Sequence, residues 1–163
     1  MEYFNFCRAS NIVHFLIAHS IMEKSSVITT NFDYLTEWAL HDSLNETARS
    51  RIHLVITKDD FEKIANAQEE INKGEWFVFK IHGSFQNLAT KESTKESLIT
   101  TTSALAADKE KGELLGLESY KKKVIEPLLK DKILVVMGYS GSDDFDISPF
   151  LNNLKGIKHV VWI

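Results

Sequence analysis

Short apolar segments alternate along this chain with segments that have the apolar spacing of helices, and this alternation limits the fold more than any other feature. The predicted strands are Val27 to Thr30, Arg51 to Thr57, Glu75 to Ile81, Lys132 to Met137 and Lys158 to Ile163. The predicted helices are Asn11 to Glu23, Leu35 to Leu40, Asp60 to Asn72, Leu117 to Leu129 and Ile147 to Leu154. This order is typical of an α/β fold in which helices cover both faces of a parallel sheet, the three-layer, doubly wound arrangement.

The chain is expected to form a single domain over residues 1–163. Its 163 residues include seven Gly and two Pro, and no linker of low complexity interrupts them. The segment Lys91 to Gly116 has the weakest pattern, and it predicts a short strand at Leu98 to Thr101 followed by a mobile surface loop.

Composition excludes several classes of protein. A hydrophobic content of 44% with 26% charged residues is that of an ordinary globular domain. The formal net charge of -4 provides no basic surface for a nucleic-acid backbone, and no apolar run is long enough to span a membrane. The single cysteine, Cys7, can form neither an internal disulfide nor a four-cysteine metal site, so we expect a cytoplasmic protein without zinc.

Polar residues follow three of the predicted strands. They are Asn31 and Asp33 after the first strand, His82 and Ser84 after the third, and Ser140, Ser142, Asp143, Asp144 and Asp146 after the fourth. Because ligands of open parallel sheets bind beyond the carboxyl ends of the strands, we expect these strands in one sheet and their polar residues in one cleft.

The three polar segments together are similar to a known family. They read TTNFD at 29–33, KIHGS at 80–84 and GYSGSDDFDI at 138–147. In this order, each after a buried strand, they resemble the SIR2-like branch of the sirtuin superfamily, which binds NAD in a Rossmann-like domain. The interval from Ser84 to Met137 contains no cysteine, so the resemblance is to the zinc-free branch, which is associated with NAD hydrolysis in bacterial antiphage defence.

The resemblance implies a role for six residues. Asn31 would position a water molecule or the ribose hydroxyls, and His82 would act as the general base. A parent protein with the full domain would cleave NAD to nicotinamide and ADP-ribose. The remaining implied NAD contacts are Thr30, Asp33 near the nicotinamide amide, and Gly138 and Ser140 on the adenosine side.

The sequence also departs from the family. The GAGxS-type glycine loop that holds the pyrophosphate has no counterpart here, and the chain stops at Ile163. We therefore expect a Rossmann-like sheet that is incomplete on its N-terminal side, with an apolar edge that a second copy or a fused domain covers.

Other interpretations stay open. Asn31 and Asp33 could be a helix cap and a first-turn carboxylate, and the acidic residues near Asp143 favour capping and solvation over metal binding. The lysines 121–123 are expected on a solvated helix face. The chain could be an inactive module for binding or assembly, or an NAD-dependent protein deacylase.

Overall fold

A computed structural model describes residues 8–98, 116–141 and 147–163. The chain divides into two compact units, Met1–Leu98 and Ile99–Ile163. Residues 99–101 of the predicted short strand, residues 102–115 of the loop predicted after it and residues 142–146, which include three aspartates, lie outside the described residues. The assignment of the whole chain to one domain stays a prediction.

The first unit contains three strands and five α-helices in its described part. Its elements are α1 (Ile12–Met22), β1 (Val27–Thr29), α2 (Leu35–Ser43), α3 (Glu46–Arg49), β2 (Ile52–Val55), α4 (Lys58–Lys63), α5 (Ala67–Lys73), β3 (Trp76–Lys80) and a 3₁₀ turn (Lys95–Ser97). All three strands occur where the alternation of apolar segments predicted them.

The three strands form one parallel sheet in the order β1-β3-β2. The strand that comes last in sequence, β3, is central, so Val78 pairs with Val27 on one side and with Leu54 on the other. A central parallel strand must be apolar on both faces, and Phe77, Val78 and Phe79 are all buried.

Helices lie on both faces of this sheet. Val78 packs in one cluster with Ala18 and Ile21 of α1 and Leu40 of α2. Its neighbour Phe79 points to the opposite face, because side chains alternate along a strand, and its ring centroid lies 6.1 Å from that of Phe61 in α4. The three-layer α/β arrangement predicted from the sequence is confirmed.

The helix predicted over Asp60 to Asn72 is wrong in one respect, because the structure has two helices there. Ile64 ends α4 in an extended conformation with a ψ of 104°. The side chain of Asn66 then accepts a hydrogen bond from the Glu69 N–H at 3.2 Å and begins α5. An asparagine stabilises a helix start better than a helix interior, which explains the break.

The second unit contains α6 (Ser119–Leu129), β4 (Ile133–Val136), α7 (Ile147–Asn153) and β5 (His159–Trp162) among its described residues. Strands β4 and β5 pair in parallel as a two-stranded sheet. Hydrogen bonds join β1 to β3 and β4 to β5, and the expectation that β4 shares a sheet with β1 and β3 stays a prediction.

The expected solvation of lysines 121–123 is wrong for Lys121. Its side chain is buried, with 2% of the residue exposed, and its Nζ lies 2.9 Å from the Glu118 carboxylate. The charge is thereby paired inside the unit, whereas Lys123 is exposed. None of the helices in the described part of the chain has both the length and the apolar character needed to cross a membrane.

Candidate functional site

The carboxyl ends of β1 and β3 meet at one edge of the first sheet. Thr29 pairs with Lys80, and the Ile81 N–H donates a hydrogen bond to the Thr29 carbonyl at 3.1 Å. Asn31 and His82 each lie two residues beyond this pair, past the ends of the two strands. The two polar segments that the sequence predicted at neighbouring strand ends are therefore adjacent in the structure.

His82 lies in a tight turn. The Gly83 N–H donates to the Lys80 carbonyl at 3.0 Å, so the chain reverses directly after β3. Gly83 has a φ of 82°, which favours glycine, and a Cβ atom on it would overlap the backbone of Ser97. His82 is half-buried at this turn. The glycine of the HGS motif thus sets the backbone that presents the histidine.

Polar contacts from residues 94–97 hold the segment that follows His82. The Thr94 hydroxyl donates to the Ser84 carbonyl at 2.7 Å, and the Ser84 N–H donates to the Ser97 hydroxyl at 3.2 Å. Ser84 is fully buried and Thr94 nearly so. The sequence analysis did not identify Thr94 or Ser97, because their contacts join residues that are distant in sequence.

The Asn31 and Asp33 side chains have different environments. The Asp33 carboxylate accepts the Leu35 N–H at 3.0 Å, while the N-cap residue of α2 is Tyr34, whose side chain makes no cap bond. Asn31 is exposed, and its side chain makes no hydrogen bond to the described residues. The alternative of Asn31 as a helix cap and Asp33 as a first-turn carboxylate is therefore wrong, because α2 begins only at Leu35. The Asn31 amide stays available to a ligand, and Thr30 is half-buried.

A buried lysine lies directly beneath this edge. Lys80 is 0% exposed, and its Nζ lies 2.7 Å from the carboxylate of Glu37, which is 5% exposed. The same ammonium group donates to the Asp33 carbonyl. Sequence analysis assigned Lys80 only to the end of a strand. A lysine in a buried strand needs a partner, and the glutamate in the first turn of α2 was the available signal.

Gly138 and Ser140 lie in the second unit, in the loop after β4. Gly138 has a φ of 64°, and a Cβ atom on it would have no neighbour within 4 Å. Its N–H donates to the Ile163 carbonyl at 3.3 Å. Glycine is therefore favoured there by the backbone conformation, and the surrounding space is open. Ser140 is exposed.

Hydrogen bonds from two side chains fix this second loop. The Trp162 indole N–H donates to the Tyr139 carbonyl at 3.0 Å, and the Ser148 hydroxyl donates to the Gly141 carbonyl at 2.9 Å. Trp162 is half exposed, so it contributes to the loop surface rather than to a closed core.

The first-unit edge contains an amide at Asn31 and an imidazole at His82. Among the described residues, no group of three or more His, Cys, Asp or Glu side chains could hold a metal ion. The amide and the imidazole are side chains that exchange hydrogen bonds with hydroxyl groups and water.

Comparison with the sequences of curated proteins finds no match for this chain. The sequence profile of the SIR2-like domain does match, over residues 25–158. This range includes all three polar segments and the strands β1 to β4, and it ends one residue before β5. The chain therefore belongs to the SIR2-like domain family, in a superfamily that generally uses NAD.

Proposed function

We propose that this domain binds NAD at the carboxyl ends of β1 and β3 and hydrolyses the bond between nicotinamide and ribose. The observation that supports the proposal is that exposed Asn31 and half-buried His82 follow the paired residues Thr29 and Lys80 at the ends of adjacent parallel strands. Ligands of open parallel sheets bind at such an edge.

The chemistry needs few groups. Water adds to the anomeric carbon of the ribose, the carbon–nitrogen bond to nicotinamide breaks, and the products are nicotinamide, ADP-ribose and a proton. In the proposal, Asn31 holds the water or a ribose hydroxyl through its amide, and His82 accepts a proton from the group that Asn31 orients. Asp33 contributes to the structure of the loop before α2 rather than to the reaction, since its carboxylate already accepts the Leu35 N–H.

The test uses the full 163-residue chain. Titration calorimetry measures NAD binding, and chromatography measures nicotinamide release. We expect Asn31→Ala and His82→Ala to lower turnover by at least about 100-fold, the range of a lost general base. The matched controls are Asn72→Ala on α5 and His19→Ala on α1, both exposed and outside the site. Turnover that both site variants retain would contradict the catalytic assignment.

The contacts of Thr30, Gly138 and Ser140 with NAD stay predictions, as does a role in antiphage defence. Single alanine variants of Thr30 and Ser140 test the first group, because loss of a ligand contact weakens NAD binding without changing the unfolding temperature.

A second candidate function is assembly without catalysis, and the surface of the β4–β5 sheet favours it. Ile133, Val135 and Val161 share one face of this sheet and are 59%, 49% and 44% exposed. Parallel sheets are normally covered on both faces. We propose that a second copy of the chain covers this face. NAD binding without turnover, in a chain that self-associates, would favour assembly over hydrolysis.

A further inference from the structure

We infer that Lys80 is a positioning residue whose buried ammonium group holds the loop between β1 and α2, which contains Asn31. This inference rests on the proposed function, because it names the residue that keeps the proposed site in shape. Lys80 is 0% exposed and so does not itself contact a ligand at the edge.

Three contacts of the ammonium group fall on one short segment. It donates to the Asp33 carbonyl and to the Glu37 carboxylate, the latter at 2.7 Å. It also lies 5.0 Å from the centroid of the Tyr34 ring. Residues 33–37 are the end of the loop that contains Asn31 and the first turn of α2, so one side chain of β3 fixes both.

Lys80 also anchors the other half of the site. Its backbone carbonyl accepts the Gly83 N–H at 3.0 Å and so closes the turn that contains His82. The Lys80 carbonyl therefore accepts a hydrogen bond in the turn that contains His82, while the Lys80 ammonium group donates to the loop that contains Asn31.

Burial makes this arrangement specific. A buried charge is unfavourable unless it is paired and hydrogen-bonded, so the ammonium group has few alternative positions. The ion pair with Glu37 would satisfy the charge by itself. The additional bond to the Asp33 carbonyl is the contact that fixes the loop, and it distinguishes a positioning role from simple charge compensation.

The test compares the wild-type chain with the double variant Lys80→Met/Glu37→Leu. The double variant removes both charges and keeps apolar volume, a replacement that proteins commonly tolerate. Glu37→Gln is the matched control, because it keeps the ammonium group and its bond to the Asp33 carbonyl. If this control does not fold, the comparison of the double variant with wild type still tests whether Lys80 positions the loop.

Amide hydrogen exchange without NAD reports the loop directly. We expect residues 31–35 to exchange at least about 10-fold faster in the double variant than in wild type, while the amides of β2 keep their protection as the internal reference. Glu37→Gln should retain the wild-type rate at the loop.

Kinetics then separate positioning from a purely structural role. We expect kcat for NAD to fall by about 10- to 100-fold in the double variant, with a smaller change in KM, because the loop is misplaced while binding surface remains. Unchanged loop exchange, or unchanged turnover despite faster exchange, would overturn the inference. If wild type itself releases no nicotinamide, the proposed function fails, and the exchange data alone decide whether Lys80 fixes the loop.

Discussion

Gly83 passes so close to Ser97 that a Cβ atom on Gly83 would overlap the Ser97 carbonyl oxygen. Gly83 also has a φ of 82°, which side chains disfavour. We therefore expect Gly83→Ala to lower the free energy of unfolding by about 2–5 kcal/mol, the sum of backbone strain and a steric clash. Urea unfolding followed by circular dichroism measures the loss.

Gly74 provides the matched control for this substitution, since it lies in the same unit and has a φ of 97°. A Cβ atom on Gly74 would meet only the flexible side chain of Arg51, which can move aside. Gly74→Ala should therefore cost only about 1–2 kcal/mol, from the backbone alone. Equal losses of unfolding free energy for the two variants would mean that the contact with Ser97 does not constrain the turn that contains His82.

Substitutions of Asp33 and Asn31 should change the stability of the fold by different amounts. Asp33→Ala removes the carboxylate that accepts the Leu35 N–H and should lower the free energy of unfolding by about 1 kcal/mol. Asn31→Ala should change stability by less than about 0.5 kcal/mol, because Asn31 is exposed. Thermal unfolding of both variants measures these changes in stability. A larger loss for Asn31→Ala would show that Asn31 has a structural role, and its effect on turnover could not then be assigned to chemistry.

The single substitution Lys80→Met should be far more harmful than the double variant with Glu37→Leu. It leaves the Glu37 carboxylate buried without its partner 2.7 Å away. Loss of one member of a buried ion pair typically costs about 3–5 kcal/mol, whereas replacing both members is often neutral. Chemical denaturation of the two variants and the wild type gives the comparison. Similar stability of the single and double variants would argue that water reaches Glu37.

The exposed face of the β4–β5 sheet predicts self-association. Ile133, Val135 and Val161 present contiguous apolar surface there. We expect light scattering at tens of micromolar to detect a dimer or larger species, and Val135→Lys/Val161→Lys to return the chain to a monomer. The control, Thr47→Lys/Asn72→Lys, adds the same charge at exposed positions of the first unit and should leave association intact. A monomeric wild-type chain would contradict the assembly candidate.

Local sequence pattern was sufficient for most of the elements. The strands β1, β3 and β4 were predicted because β-branched and aromatic residues run together at these positions. The break near Asn66 was missed although its signal is local, since an asparagine three residues before a glutamate is typical of a helix start. Apolar periodicity was given more weight there than capping.

The sequence by itself determined the α/β alternation and placed Asn31 and His82 at strand ends, because strand and cap preferences depend on neighbouring residues. Only the tertiary structure decided that β3 lies between β1 and β2 and that Lys80 is buried against Glu37. Periodicity shows which face of an element is apolar but not which element covers it. A lysine's burial is decided by whether a carboxylate 43 positions away in sequence reaches its ammonium group in the folded chain.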